Sequence, residues 1–360
     1  LNRLGASTLV KAVSTAVPPY RLTQDEAARL IEQWLSTHAG KAEVSAERIS
    51  TIFRNAGVEE RYTVLPPAKL LRNMSFGARN RIYVENAKLM GRKVLERLFD
   101  DFGVDPAEID LLITTSCTGF MIPSVDAYLM NLFPFRRDVR RLPITELGCA
   151  SAAASLGMAH NYIAGRDDAT VLVLAIEMCS LNFQPTDTTA DHIISTAIFG
   201  DGAAAAVITT TPGPGLHITD TTTLFFPGTT DFMGFDVRNT GFHIFLSRRI
   251  PEFLHSNIRP AVEEFLRAAS CSPGDIDAWL MHPGGGKILQ SIERALGLNE
   301  DDTRHSRAVL RRFGNLSSAT ILFILEDYIR EAKKKAGSKQ VIGAVGPGFQ
   351  MELSLGQWIQ

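Results

Sequence analysis

One pattern occurs twice in this chain of 360 residues, and the repeat limits the fold more than any other feature. Val104-Asp105-Pro106-Ala107-Glu108-Ile109-Asp110-Leu111-Leu112-Ile113 runs from a tight proline turn into an apolar strand. Cys271-Ser272-Pro273-Gly274-Asp275-Ile276-Asp277-Ala278-Trp279-Leu280 repeats it, with Asp110 and Asp277 separated by 167 positions (277 − 110 = 167). A second pair, Gly148 and Gly314, stands 166 apart (314 − 148 = 166) and carries Ser151 onto Ser317, Tyr162 onto Tyr328 and Ile163 onto Ile329. A period this long is not a solenoid repeat. It predicts two copies of one α/β unit related by a pseudo-twofold, each a mixed sheet covered by helices. The Thr-, Pro- and Gly-rich stretch Thr209–Gly215 reads as the joint, dividing the chain into halves at 1–212 and 213–360.

Between the repeats the elements follow from local signals. Thr8–Val17 reads as a strand. Thr23-Gln24-Asp25-Glu26 is a capping box opening a helix to about Leu35. Ala46–Ala56 and Asn80–Phe102 read as helices, the second stopped by Gly103. Val125–Leu132 reads as helix, while Val171–Glu177 and the segment after Phe199-Gly200-Asp201-Gly202 read as buried strands. Arg48, Arg54 and Arg61 read as parts of a solvated charged face.

Composition narrows the class. The chain is 45% hydrophobic with a formal net charge of −2, which suits a well-buried core and gives no field for nucleic acid. Cys117, Cys149, Cys179 and Cys271 form no CxxC pair and no spacing for a metal site or disulfide framework. No apolar run reaches the length of a membrane span, and the N-terminus has no signal-peptide core. Reduced thiols in a cytoplasmic protein are the expectation.

The chemistry centres on Leu147-Gly148-Cys149-Ala150-Ser151. Pro143 makes an extended approach, Gly148-Cys149 a sharp turn, and Ala150 to about Ile163 a helix. A thiol at a helix N-terminus is biased toward thiolate. At the 166 offset Cys149 falls on Asn315, so the two should face one another across the pseudo-twofold. His282 ends the repeated strand, where α/β sheets place ligands, and Pro283-Gly284-Gly285-Gly286 follows it. Cys149, His282 and Asn315 suit acyl transfer. The imidazolium of His282 would hold the thiolate, and His282 with Asn315 would offer two donors to a thioester oxygen. The same residue types serve papain-like proteases, so the set alone names no substrate.

Five motifs then converge. They are Glu146-Leu147-Gly148-Cys149, Ile198-Phe199-Gly200-Asp201-Gly202-Ala203, His282-Pro283-Gly284-Gly285, Gly314-Asn315-Leu316-Ser317-Ser318 and Val345-Gly346-Pro347-Gly348. Over essentially its whole length the sequence resembles a type III polyketide synthase, the chalcone synthase-like branch of the thiolase superfamily. The resemblance implies a five-layered αβαβα fold, a homodimer, and no cofactor beyond coenzyme A thioesters as substrates. It implies Cys149 as acyl-carrying nucleophile, His282 and Asn315 as decarboxylation and oxyanion groups, and Phe199 as a gate. It also implies substrate-binding roles for Ser317, Gly346 and Pro347. The loop Thr115–Met121 resembles bacterial members, in which Cys117 lines the pocket. Met121 or Ile122 matches the side chain that family members push into the partner's cavity. Ile244 stands where plant members carry a second gate phenylalanine, which implies a roomier cavity. Arg48 matches a basic position that contacts coenzyme A phosphates. Its two companion positions carry Thr51 and Asn55, leaving Arg54 or Lys287 to substitute.

The expected reaction is loading of a medium-to-long aliphatic acyl-CoA starter, extension with malonyl-CoA, and cyclisation to an alkylpyrone or phenolic ring. Malonyl-CoA-primed synthesis of the tetrahydroxynaphthalene or phloroglucinol type is the main competitor. An initiating β-ketoacyl synthase is disfavoured because its histidine motif reads His-Gln-Ala-Asn. A cysteine hydrolase needs no duplicated architecture, and a non-catalytic scaffold needs no intact triad.

Overall fold

The computed structural model describes residues 8–37, 44–331 and 334–360. Among these residues nine strands form one sheet: β1 (Thr8–Ala16), β2 (Leu111–Thr115), β3 (Arg140–Ile144), β4 (Thr170–Met178), β5 (Asp201–Thr209), β6 (Gly215–Phe225), β7 (Ala278–Met281), β8 (Lys339–Gly346) and β9 (Gln350–Ile359). Their order is β7-β8-β9-β6-β1-β5-β4-β2-β3. The duplication is visible in the pairing. In the first half β1 lies antiparallel to β5, β5 antiparallel to β4, and β4 parallel to β2. In the second half β6 lies antiparallel to β9, β9 antiparallel to β8, and β8 parallel to β7. The two half-sheets meet where β1 and β6 pair, Thr8 with Ile218 and Leu9 with His217. Strand β3 has no counterpart in the sheet's second half. It forms an exposed edge, the position where a strand tolerates Pro143.

Eight helices position the site: α1 (Gln24–Ser36), α2 (Ala46–Asn55), α3 (Phe76–Phe102), α4 (Ser151–Ile163), α5 (Ala190–Ile198), α6 (Ile250–Ala268), α7 (Gly286–Leu296) and α8 (Thr320–Arg330). Helices α4 and α8 fill the central layer. Ala152, Leu156, Ile321 and Leu325 share one core there with Val171, Val173, Leu280 and Ile342 of the strands. The alternate residues Leu172, Leu174 and Ile176 face α3, and Trp279, Met281 and Val341 face α6 and α7. Burial on both faces is why these strands read as continuous apolar runs. The layers are therefore α3, half-sheet, α4 with α8, half-sheet, and α6 with α7, the five-layered αβαβα arrangement. Helices α1, α2 and α5 form a separate apolar cap, with Leu22, Ile31, Phe53 and Ile193 buried.

The capping box at Thr23 forms, with Thr23 N donating to Glu26 Oε2 at 2.8 Å. Helix α3 starts at Phe76 rather than Asn80 because the Ser75 hydroxyl caps it. The helix after Ser124 stops at Leu129, short of the expected Leu132. No helix among the described residues is long and apolar enough to cross a membrane.

Candidate active site

Cys149 lies in the 3-10 turn Gly148–Ala150 that leads into α4. Gly148 has φ +52°, and a Cβ there would meet Pro347 at 2.7 Å, so the turn needs glycine twice over. Gly346 sits behind the same turn, where a Cβ would come within 2.6 Å of Leu147 O. In the second half the matching turn is Ser317–Ala319, ahead of α8. Both turn onset and helix onset are shifted by 169 residues (317 − 148 = 169; 320 − 151 = 169). This corrects the expected pairing at 166: Cys149 corresponds to Ser318, not Asn315. Asn315 instead precedes the turn, in a short parallel bridge with Phe199.

That bridge still brings Asn315 to the site. Its Oδ1 accepts from Ser317 N at 2.7 Å and Thr320 Oγ1 at 3.4 Å, which fixes the amide. Its Nδ2 donates to Gly284 O at 2.8 Å, tying it to the loop after His282 and leaving a second N–H. His282 is anchored by its backbone N–H to Gly343 O at 2.7 Å. Both its ring nitrogens are buried, with no hydrogen-bond partner among the described residues.

The Ser317 hydroxyl stands between two thiols, 3.6 Å from Cys149 Sγ and 3.3 Å from Cys117 Sγ. Behind Cys117 is a buried carboxylate, Glu177 at the end of β4. It accepts from Ser318 Oγ at 2.5 Å, Thr118 Oγ1 at 2.8 Å and Cys117 N at 3.1 Å, with Cys117 Sγ at 3.6 Å. Sequence reading passed over Glu177. Its signal was a single acidic residue closing the apolar run Val-Leu-Val-Leu-Ala-Ile.

Burial works against the expected standing thiolate. Burial pushes the Cys149 thiol up to about 11, offset in part by hydrogen bonds from Ser317 and Asn315. Burial pushes His282 down to about 4. Each group alone is thus neutral near pH 7, and no hydrogen bond joins them, so the helix N-terminus does not outweigh desolvation here. Cys117 is raised well above an ordinary thiol by burial and then by Glu177.

Cys149 opens onto a cavity of about 370 Å³. Cys117, Phe199, Ser317, Pro347 and Ile244 line it, as expected. Leu22, Ala27, Leu30, Ile31, Leu70 and Leu71 wall an apolar arm toward α1 that sequence reading did not find. Gly346 backs the cysteine turn rather than lining the cavity. Met121 is half-buried against its own half's outer core, whereas Ile122 is 98% exposed. Arg48, Arg54 and Lys287 are exposed and off the cavity wall. The end of α2 meets the start of α7 through Gly286 N to Ala56 O at 2.9 Å, which brings Arg54 and Lys287 to one junction. Arg61 contradicts the expected charged face, being only 3% exposed.

Comparison with known proteins agrees with this geometry. Family models described as chalcone and stilbene synthases match residues 2–212 (N-terminal domain) and 217–357 (C-terminal domain). The chain is 33% identical over 345 residues to 1,3,6,8-tetrahydroxynaphthalene synthase of Streptomyces coelicolor, covering 96% of this chain and 91% of that one. It is 30% identical over 359 residues to an α-pyrone-synthesis polyketide synthase-like protein of Mycobacterium tuberculosis, covering 96% and 89%. The crystal structure of the S. coelicolor tetrahydroxynaphthalene synthase, described as a bacterial type III polyketide synthase, superimposes with a TM-score of 0.92 over 98% of this chain and 99% of that one. The chain belongs to the chalcone and stilbene synthase family and is a type III polyketide synthase, an acyl-transferring condensing enzyme.

Proposed function

We propose that this synthase loads a medium-to-long aliphatic acyl-CoA starter on Cys149, extends it with malonyl-CoA and cyclises the chain to an alkylpyrone or phenolic ring. The observation that carries the reading is the apolar arm walled by Leu22, Ala27, Leu30, Ile31, Leu70 and Leu71, continuous with the space in front of Cys149. Leu22, Leu30 and Pro67 also border a surface depression with Arg21 and Arg29, so the arm lies beside that depression.

In loading, Cys149 Sγ attacks the acyl-CoA carbonyl, its proton passes to His282, and coenzyme A leaves as the thiol on taking that proton. Proton transfer during attack suits a pair whose members are each neutral at rest. In extension, malonyl-CoA loses carbon dioxide, and the resulting enolate oxygen receives N–H groups from His282 and Asn315 Nδ2. The enolate carbon attacks the Cys149 thioester, freeing the cysteine and leaving the chain two carbons longer on coenzyme A. Nothing beyond coenzyme A thioesters is needed for these steps. Exposed Arg48, with Arg54 and Lys287 at the α2–α7 junction, suits contact with the coenzyme A phosphates.

A cytoplasmic homodimer fits the surface and the four free cysteines. Ile122, Tyr128, Leu132 and Leu142 are exposed apolar side chains within residues 122–142, next to the open edge of β3. Ile122 is the side chain suited to reach a partner's cavity.

A malonyl-CoA-primed reaction is the second reading, favoured by the 33% identity to a tetrahydroxynaphthalene synthase. Initial rates with malonyl-CoA alone, then with acyl-CoA starters of rising length, separate the two. A rate that climbs with chain length supports the arm as a tail site. A dominant product from malonyl-CoA alone overturns it.

A further inference from the structure

Arg61 is a buried cation with no role in the chemistry so far described. It comes from the short strand Glu60–Thr63, and its guanidinium grips the end of α5. Nη1 donates to Thr196 O at 2.6 Å and Phe199 O at 2.9 Å, and Nη2 donates to Ala197 O at 2.7 Å and to Gln24 Oε1. The last carbonyls of a helix have no partner within it, and a cation there is favoured by the helix dipole. The one remaining carbonyl of this end, Ile198 O, accepts from Asn315 N at 2.9 Å, and Gly200 N returns a bond to Asn315 O at 3.0 Å. Arg61, bound to Thr196, Ala197 and Phe199, and the backbone of Asn315, bound to Ile198 and Gly200, therefore hold one five-residue stretch between them.

This segment carries two parts of the site at once, the ring of Phe199 on the cavity wall and the backbone from which the Asn315 amide is hung. It has little slack. A Cβ at Gly200 would lie 2.4 Å from Phe313 O, and one at Gly314 would lie 2.7 Å from Ile198 O. Asp201 closes the far side, accepting from Val64 N at 2.8 Å and Ser180 N at 2.7 Å. The turn that carries Cys149 is backed separately, by Pro347 against Gly148 and by Gly346 against Leu147 and Ala150, and among the described residues the segment reaches the Cys149 thiol only through Asn315 and Ser317.

We propose that Arg61 is a positioning residue for decarboxylation and condensation: by capping α5 it keeps Phe199 and Asn315 in register with Cys149, while the turn that carries Cys149 is built from other contacts. The inference rests on the reading of Asn315 as an oxyanion donor. Arg61→Met keeps an unbranched apolar stem as far as the Nε position and removes the donors; Arg61→Lys keeps the charge and one donor group. The measurements are malonyl-CoA decarboxylation, acylation of Cys149 by intact mass after a single turnover, and thermal melting. For Arg61→Met the expected result is a fall of tenfold or more in decarboxylation kcat, with KM and the rate of Cys149 acylation within threefold of the parent. Arg61→Lys should lie between. Methylguanidine should restore part of the kcat of Arg61→Ala and none of that of Asn315→Ala, which a loss of general stability would not produce.

Decarboxylation kcat within threefold of the parent in Arg61→Met overturns the proposal, as does acylation falling in step with kcat. If Arg61→Met does not fold, Gln24→Met removes a single partner of the guanidinium, and an unchanged kcat there overturns the proposal equally. Asn315→Ala separates the two levels. If it decarboxylates normally, the reading of the site fails. If it is inactive while Arg61→Met is not, only the role of Arg61 fails.

Discussion

Gly148 and Ser317 are the same residue of the duplicated unit, one in each half. Both have left-handed backbones, φ +52° and +49°, and both start a 3-10 turn that runs into a central helix. Glycine adopts this conformation freely, whereas for another L-residue it costs roughly 1–2 kcal/mol. The second half accepts that cost at the one place where a hydroxyl can stand between Cys117 and Cys149. Strain of this kind concentrates at functional sites.

The first prediction concerns that hydroxyl. Ser317→Gly should leave stability within about 1 kcal/mol of the parent, because relief of strain offsets the added freedom of the unfolded chain. Ser317→Val should lose about 2 kcal/mol or more, since a β-branched residue is least tolerant of positive φ. Ser317 is also one of the groups that hold the Cys149 thiol down against burial. Alkylation of Cys149 by iodoacetamide at fixed pH should therefore slow in Ser317→Gly. Melting curves test the first pair of outcomes and intact-mass labelling the second; faster labelling would contradict the assigned contact.

Cys149→Ala should abolish acyl loading while malonyl-CoA still loses carbon dioxide slowly. In the proposed mechanism loading needs the sulfur, while decarboxylation needs mainly donors on His282 and Asn315, and one such donor typically contributes about 2.7–4 kcal/mol. Intact mass after incubation with acyl-CoA reads the first outcome and carbon dioxide release the second. Covalent acylation persisting in the mutant would move the nucleophile elsewhere, Cys117 being the nearest alternative.

Glu352 supplies the pH prediction. It lies buried in β9, with Thr223 Oγ1 donating to it at 2.7 Å, and burial raises its carboxyl from 4.5 to about 7. A folded-state pKa above the unfolded one means that the fold prefers the protonated form. The stability linked to this group is complete below about pH 4.5 and is lost as pH rises through 7. Glu352→Gln removes that loss. Its advantage in stability over the parent, read from melting curves, should be small at pH 4.5, grow toward pH 7 and level off above it, reaching about 1–2 kcal/mol after screening is allowed for. A difference independent of pH would show that the carboxyl is not the cause.

What the sequence made legible depended on the range of the interaction concerned. The duplication, the turn at Gly148 and the capping box at Thr23 are local patterns with local causes, and each is present. Asn315 reaches the Cys149 turn through Ser317, but the expected route to it was wrong by three residues. Loop lengths shift the second turn from 166 to 169, and periodicity cannot count them. Arg61 looked solvated because its neighbours Glu59 and Glu60 are charged. Its burial follows from packing against α5, which lies about 135 residues away in sequence. The neutral state of Cys149 was equally out of reach. The helix N-terminus is written locally, whereas desolvation comes from residues distant in sequence, Ser317 and Pro347 among them.

The apolar arm gives the last prediction. Ala27 lies on α1 and is 5% exposed, and its methyl faces the arm beside Leu30 and Ile31. Ala27→Phe would place a ring in that space at a helix-propensity cost of about 0.5 kcal/mol, small beside the stability of a domain. If acyl tails bind there, each buried CH₂ contributes about 0.8 kcal/mol, so excluding three of them removes about 2.4 kcal/mol, roughly fiftyfold in kcat/KM for the longest starters. Short starters and malonyl-CoA alone should react at the parent's rate, because Cys149, His282 and Asn315 are untouched. Ile244→Phe, on the other wall of the cavity, tests whether the preference is set by this arm or by total volume. An arm-specific effect shortens the preferred starter in Ala27→Phe and leaves it unchanged in Ile244→Phe. Equal shortening in both would assign chain-length control to the whole cavity, and unchanged preference in Ala27→Phe would remove acyl tails from the arm.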